Sequence, residues 1–348
     1  MAGVEIEAHD SAGPIAAEWS ALVDRTGAPP WLRPGWIDSW MQAHATGALH
    51  VLAARRDGRV VAVVPLNLRK GSATSTAVWQ SLVAEDDEAR AGLLRALFGR
   101  GGRRVTLLCG FVGLAPVEAC SAAAEAAGWR TVVRPYLRSP YVTIAGGWDE
   151  YLESRQRKYL KEILRRRRRL GEEAELTFEL LRGDEDLERL LDEGFRLEGS
   201  GWKVRDGTAV LSSPALTAYY RNLGRWAAAE GMLRLAFLRL GGRGIAFDFL
   251  IEDGGRLYNL KGGYDETYAR FGPGVMLVHD CIAYCFERRL RSYELLGDVE
   301  PWKLEWANGM HERTILRAFG RSAAARLDYL AFAHGRRAAR RAVGLLRR

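Results

Sequence analysis

The spacing of apolar positions along the chain changes several times, and each change predicts an element. Residues 49–56 and 59–66 are apolar-rich runs joined by Asp57-Gly58, a strong two-residue turn signal, and they predict an antiparallel hairpin. Strands are predicted at 77–83, 104–109 and 131–135, and a helix over 116–127 is closed by Gly128. Upstream, Trp19, Trp31, Trp36 and Trp40 are divided by Pro29-Pro30 and Pro34-Gly35, which predicts short helices capping a core. In the second half a strand at 174–181 and a helix at 184–198 precede a helix at 214–230 that stops at Gly231. Three runs, 232–240, 245–252 and 256–261, are separated by Gly241-Gly242 and Asp253-Gly254, the pattern of an antiparallel meander. The helix after Gly274 is apolar nearly all round and should be buried on the sheet, with a partner strand at 292–296, a last strand at 314–319 and a tail helix from Arg321.

A chain of 348 residues with 48% apolar content exceeds what one core usually serves. The expected division is 1–150, 151–320 and a basic tail 321–348. No apolar run approaches the ~18 residues of a membrane span, and Glu5, Glu7 and Asp10 stand where a signal peptide needs positive and apolar residues, so a cytoplasmic protein is expected. Cys109, Cys120, Cys281 and Cys285 include no C-x-x-C pair and are expected as buried thiols.

The net charge of +8 is concentrated in two places. Residues 155–169 hold nine Lys/Arg and one Glu, and 335–348 hold six Arg and no acid, so the remainder of the chain is mildly acidic. The first run forms an amphipathic helix, with Leu160, Ile163 and Leu164 on an apolar stripe and Lys158, Lys161, Arg165 and Arg169 on another face. Successive arginines repel unless water or an anion screens them, so Arg157, Lys158, Lys161 and Arg165 are candidates for anion contact.

The stretch Glu266 to Leu277 carries the most chemistry. A meander strand runs through Gly262-Gly263 into Arg270-Phe271-Gly272-Pro273-Gly274-Val275 and then into the apolar helix. The first turn of a helix has N–H groups with no helical partner and a positive dipole end; Gly272 and Gly274 permit close approach, and Pro273 sits where a missing N–H costs little. These five residues other than proline (Arg270, Phe271, Gly272, Gly274, Val275) form a candidate phosphate cradle, although Gly-Pro-Gly also serves as a plain turn into a buried helix. Two Trp-Lys pairs in polar loops, Trp202-Lys203 and Trp302-Lys303, together with Tyr264, are candidate substrate contacts. No Ser-His-Asp or Cys-His set, zinc spacing or Walker motif is present, which excludes the corresponding hydrolase, metalloenzyme and nucleotidase readings.

Taken in order, the Arg-rich helix, Gly201-Trp202-Lys203 with Gly207-Thr208, Gly263-Tyr264-Asp265-Glu266, Tyr268-Ala269-Arg270, Pro273-Gly274 and Trp302-Lys303 with Trp306 resemble the CelD/BcsL-type branch of the GNAT acyltransferases, related in architecture to the Fem-type aminoacyl transferases. The resemblance spans most of residues 30–320. It implies an α+β fold of two tandem GNAT-like domains, each a mixed, mostly antiparallel sheet with flanking helices, with the more complete donor site in the second. It also implies acetyl-CoA or another acyl-CoA as donor, bound by its diphosphate at the cradle, with no metal. Acyl transfer to an amine or hydroxyl of a sugar, envelope or metabolite acceptor needs a base and an acid. Asp265 and Glu198 are the candidate bases, and Tyr268, with Tyr264, the candidate acid. Two other functions are open: a Fem-type transferase drawing on charged tRNA, and a non-catalytic anion-binding module whose basic tail meets an anionic membrane surface.

Overall fold

The computed structural model describes residues 3–69, 72–75, 82–110, 115–184, 186–200, 207 and 209–333. The chain forms two compact units, one of Met1–Met41, Ala45–Tyr136 and Glu312–Arg348, the other of Gln42–His44 and Leu137–His311.

The first unit begins with β1 (Glu5–His9), α1 (Ala16–Thr26) and most of α2 (Pro34–His44). The hairpin β2 (Ala48–Arg56) and β3 (Arg59–Arg69) follows, and Asp57 and Gly58 both adopt positive φ, as a tight hairpin turn requires. Next come β4 (Ser72–Ser75), the short β5 (Val83–Ala84) on β3, α3 (Asp87–Gly99), β6 (Arg104–Cys109) and α4 (Val117–Ala126). β4 and β6 are parallel neighbours joined through α3, and β13 (Gly309–Phe319) returns from the end of the chain to pair with β6 through Thr314–Phe319. Leu52, Leu66, Leu93, Phe98, Leu107 and Trp129 are among the residues of this core.

β7 (Arg130–Thr143) carries the chain into the second unit, where α5 (Trp148–Glu153), α6 (Arg157–Gly171), β8 (Leu176–Leu181), α7 (Leu187–Glu198) and α8 (Pro214–Ala229) follow. The meander β9 (Leu233–Leu240), β10 (Arg243–Asp253) and β11 (Arg256–Tyr264) leads through a 3-10 turn (Glu266–Phe271) to α9 (Pro273–Glu287), β12 (Ser292–Glu294) and α10 (Pro301–Trp306). β11 and β12 are parallel, and β12 pairs with the end of β7. α7 and α8 cover one face, where a Cβ on Gly194 or Gly224 would meet the rings of Phe247 and Phe249. α9 and α6 cover the other, burying Met276, Leu277, Cys281, Ile163 and Leu170 against Ala246, Leu250 and Leu257.

The two units thus repeat one order: strand, two helices, a three-strand meander, a helix, a parallel strand and a helix. Each is completed by a strand that follows the other unit in sequence. The chain therefore divides at Leu137 rather than near residue 150, and its last strand belongs with the first unit because its ladder partner is β6.

One local expectation needs correction, one element goes unread in the sequence, and one expected strand lies largely outside the described residues. α3 was not anticipated, although Asp86 caps it and Leu93, Leu94, Leu97 and Phe98 recur at helical spacing. The strand expected at 77–83 falls largely outside the described residues, with only Val83 in β5. Leu164 is exposed on α6; the inward stripe continues instead from Ile163 to Leu170, two turns on. All four cysteines are buried. Among the described residues no helix is long and apolar enough to cross a membrane, and no cluster could hold a metal ion.

Candidate active site

The second unit is shaped around the end of β11. Its register with β10 shifts between Phe249 and Leu250, so Leu260 is an extra residue in the strand. Its parallel ladder with β12 runs only over Arg256–Tyr258, so the two strands part beyond that point. Past the bulge, Lys261 and Gly263 point toward α7, and Gly262 lies against the Asp248 carboxylate. A Cβ on Gly263 would collide with the backbone of Glu198, so glycine is what lets the end of α7 approach the strand.

That approach creates a buried ion pair. The Glu198 side chain is fully buried; Oε1 lies 3.1 Å from Lys261 Nζ, and Oε2 accepts from the Val210 N–H at 2.8 Å. Burial, reinforced by the Glu198 charge, pushes the nearby Tyr220 hydroxyl far above its ordinary range, so it stays protonated. Lys261 is the residue that sequence reasoning passed over. The available signal was a lysine at the end of the expected strand 256–261, just before Gly262-Gly263.

Asp265 lies where the strand turns into the 3-10 segment. Oδ1 accepts from the Thr267 N–H and hydroxyl, at 3.0 and 2.7 Å, and Oδ2 pairs with Arg243 at 2.8 Å. Burial alone would raise its pKa, but these hydrogen bonds and the Arg243 charge outweigh it and hold the carboxyl below the ordinary range. Arg243 and Asp265 line a cleft of about 510 Å³ with Arg189, Glu193, Arg196 and Arg239, where Arg239 is paired with Glu179 and Glu193. Tyr268 lies half-buried in the following turn, and the Tyr264 ring packs at the start of α9, where a Cβ on Gly274 would stand 3.2 Å from it.

The cradle closes through Gly272, which ends the 3-10 turn and begins α9 with φ +70°, a conformation that favours glycine. α9 has no side-chain cap and no acid in its first turn, and the Val275 N–H reaches back to the Gly272 carbonyl at 3.1 Å. Phe271 is buried beneath it, while Arg270 is exposed, stacks over Phe271 at 4.7 Å and pairs with Glu173 at 3.4 Å.

α6 meets this turn from the side. Arg166 reaches within 3.5 Å of where a Gly272 Cβ would lie. Arg165 and Arg166 share Glu162, whose carboxyl is held down to about 2 by their hydrogen bonds, and Arg167 turns inward to a two-point contact with Asp280 of α9, 2.8 Å to each oxygen. The cleft between α6 and the turn is about 540 Å³, with Arg165, Arg166, Arg169 and Arg270 set against Glu162, Glu172 and Glu173, and Phe271 as a wall. The two motifs most prominent in the sequence therefore converge. Of the expected anion contacts, Arg165 lines this cleft; Arg157, Lys158 and Lys161 are exposed elsewhere along α6, and Arg166 and Arg169 take the places beside the turn.

The two Trp-Lys pairs fare differently. Trp202 and Lys203 lie outside the described residues. Lys303 is buried on α10, donating to the carbonyls of Leu296 and Asp298 in the preceding segment at 3.0 and 3.1 Å and pairing with Glu300 at 2.7 Å, while the Trp302 indole donates to Glu300. Lys303 thus folds the segment after β12.

The corresponding position in the first unit is built differently. Asp86 caps α3 by accepting from the Ala89 N–H at 2.8 Å, Asp87 and Glu88 follow in the first turn, and Arg56 pairs with Asp86 and Glu88. A carboxylate already occupies the place an anion would take.

Residues 157–304 match the family model described as an acetyltransferase (GNAT) domain. No curated protein matches the chain by sequence. Among solved structures the chain is similar to FemX, at 14% identity over 93% of this chain and 98% of that one with a TM-score of 0.63. It is also similar to a C-terminal DUF2156 domain from Agrobacterium fabrum (15% identity, 93% and 97% covered, TM-score 0.55) and to a conserved protein of unknown function from Bacteroides thetaiotaomicron (12%, 90% and 100%, 0.56). The fold is α+β of the GNAT type, a mixed sheet with flanking helices.

Proposed function

Proceeding from a GNAT acetyltransferase domain over residues 157–304, we propose that the second unit transfers an acyl group, acetyl in the simplest case, from an acyl-CoA to an amine or hydroxyl of a sugar, envelope or metabolite acceptor. The observation that carries this reading is the start of α9: a helix N-terminus opened by Gly272, without a capping side chain or an acid, beside Arg166 and Arg270. The matching helix of the first unit is closed by Asp86. The residues fit a diphosphate, since a side chain at Gly272 would enter the space in front of Arg166 and one at Gly274 would press on Tyr264.

In this reading the Gly274 N–H and the arginines hold the donor phosphates, with Val275 behind them in the first turn, and the parting of β11 and β12 leaves room for the acyl arm. Glu198, through Lys261, takes the proton of the attacking amine or hydroxyl as its bond to the acyl carbon forms. The carbon–sulfur bond breaks, and Tyr268 returns a proton to the departing thiolate. Asp265, with both oxygens engaged, shapes the turn. Tyr264 borders the acceptor. The acyl-CoA pool would place the reaction in the cytoplasm.

A second reading rests on the length of the cationic face of α6. Arg157, Lys158, Lys161 and Arg168 are exposed beyond the cleft, more charge than one diphosphate needs, and such a surface suits tRNA as an aminoacyl carrier. Thermal unfolding with acetyl-CoA or tRNA, at low and high salt, tests both. A ligand at a hundred times its Kd adds about 2.7 kcal/mol, or roughly 5–11 °C for a unit of this size. A salt-tolerant rise with acetyl-CoA that is lost in Gly274→Val, while the variant itself stays folded, supports the first reading. No rise with acetyl-CoA and a salt-sensitive one with tRNA would replace it with the second.

A further inference from the structure

The first unit contains a second kind of site. A cavity of about 280 Å³ lies where α3 ends and β6 begins, and all its lining residues belong to this unit. Its walls are Leu52, Leu66, Leu68, Leu97, Val105 and Trp129. The Trp129 indole N–H is taken up by the Phe98 carbonyl at 2.8 Å, so the ring offers the cavity an apolar surface. Leu68 is 37% exposed and lies at the rim.

The polar part of the lining is one-sided. Arg69, Arg100, Arg104 and His50 contribute, and no carboxylate does. In both arginine clefts of the second unit, acids line the walls among the arginines. Here Arg100 donates to one nitrogen of the His50 ring and the exposed Asp10 carboxylate lies 3.6 Å from the other; burial together with the Arg100 charge outweighs Asp10 and holds that imidazole below its ordinary range. Arg104 Nε is buried without a hydrogen-bond partner among the described residues, and the Arg104 charge acts on the nearby Asp328 carboxylate, which does not line the cavity. An apolar pocket with guanidinium groups and no carboxylate in its lining matches a molecule with an apolar tail and an anionic head.

We propose that this cavity binds a single-chain carboxylate of medium length, its chain among the leucines and its head on Arg104 and Arg100. The volume is enough for such a chain. A planar carboxylate matches the guanidinium fork and is the most compact anionic head that does so. The site is independent of the α9 cradle, since it shares no residue with it.

Titration calorimetry on the full-length protein tests this with decanoate, 1-decanol and octyl phosphate. Decanoate is expected to bind at one site, with decanol at least tenfold weaker. Arg104→Gln should weaken decanoate at least tenfold without changing decanol, and Leu68→Trp, at the exposed rim, should abolish both. Saturating acetyl-CoA should leave the decanoate Kd unchanged. Equal binding of decanol and decanoate, or normal decanoate binding in a folded Arg104→Gln, would overturn the proposal. Competition by acetyl-CoA would move the ligand to the other unit and overturn it as well, and tighter binding of octyl phosphate would overturn the carboxylate head. Should Arg104→Gln fail to fold, Arg100→Gln and the decanoate–decanol comparison on the unmodified protein decide.

Discussion

Replacing Lys261 by methionine isolates the ion pair at the centre of the proposed site. Methionine keeps the length and apolar stem of lysine but removes the ammonium 3.1 Å from Glu198, whose side chain is entirely out of solvent. The carboxylate still accepts from the Val210 N–H. Removing one partner of a buried pair costs about 3–5 kcal/mol, and because Lys261 keeps 18% exposure the lower end applies. At roughly 2–4 °C per kcal/mol for a unit of this size, Lys261→Met should lower the midpoint by about 6–12 °C in thermal unfolding followed by circular dichroism. Glu198→Gln made together with Lys261→Met removes the stranded charge and should recover much of the loss, giving a coupling of at least about 1 kcal/mol in the double-mutant cycle. Turnover should remain absent in the double variant, since the proton acceptor is gone. A Lys261→Met protein within about 1 kcal/mol of the parent, with additive double-variant effects, would refute the pairing and with it the proton route through Glu198.

Other outcomes follow from neighbouring residues. Gly263→Ala drives a methyl into the backbone of Glu198, so it should cost about 1–3 kcal/mol by urea unfolding, whereas Gly171→Ala, with open space around it on α6, should cost nothing or stabilise slightly. Asp265 has a lowered pKa in the folded protein, so its charge contributes stability above the ordinary carboxylate value of about 3.9 and loses it as pH falls through the folded value. Asp265→Asn should therefore lower the midpoint by an amount worth about 1 kcal/mol at pH 6, a gap that closes as pH falls through that lowered folded value. Asp86→Ala removes the α3 cap and should cost about 1 kcal/mol, measured by thermal unfolding, without affecting acetyl-CoA binding.

Much of this architecture was legible because its signals are local. Asp57-Gly58 fixed the β2–β3 hairpin, Gly231 ended α8, and Gly272-Pro273-Gly274 marked the start of α9 at the residue where it begins. The convergence of α6 on the cradle was not legible, because it depends on Arg167 reaching Asp280 more than a hundred residues away. The same limit hid Lys261, whose meaning comes from α7, and misplaced the end of the chain, whose last strand finds β6 across the whole second unit. Lys303 shows the opposite difficulty. A lysine beside a tryptophan in a polar loop has the composition of a ligand contact, and only the fold reveals the carbonyls that absorb its charge. For Asp265, residue type alone could not distinguish a base from a cap, a distinction that rests on Thr267 and Arg243 engaging both oxygens.

The exchange of closing strands imposes an order on synthesis. The second unit is nearly continuous in sequence and can fold soon after His311 leaves the ribosome, whereas β6 waits for Thr314–Phe319 to close its edge. At about 5–20 residues per second, roughly two hundred residues separate the two partners by some 10–40 s. Throughout that interval the nascent first unit holds an apolar strand, Arg104–Cys109, with one side open to any chain able to pair with it. Nascent chains stalled before residue 314 should therefore be the ones that engage chaperones or aggregate, and release past Phe319 is the step that ends their exposure.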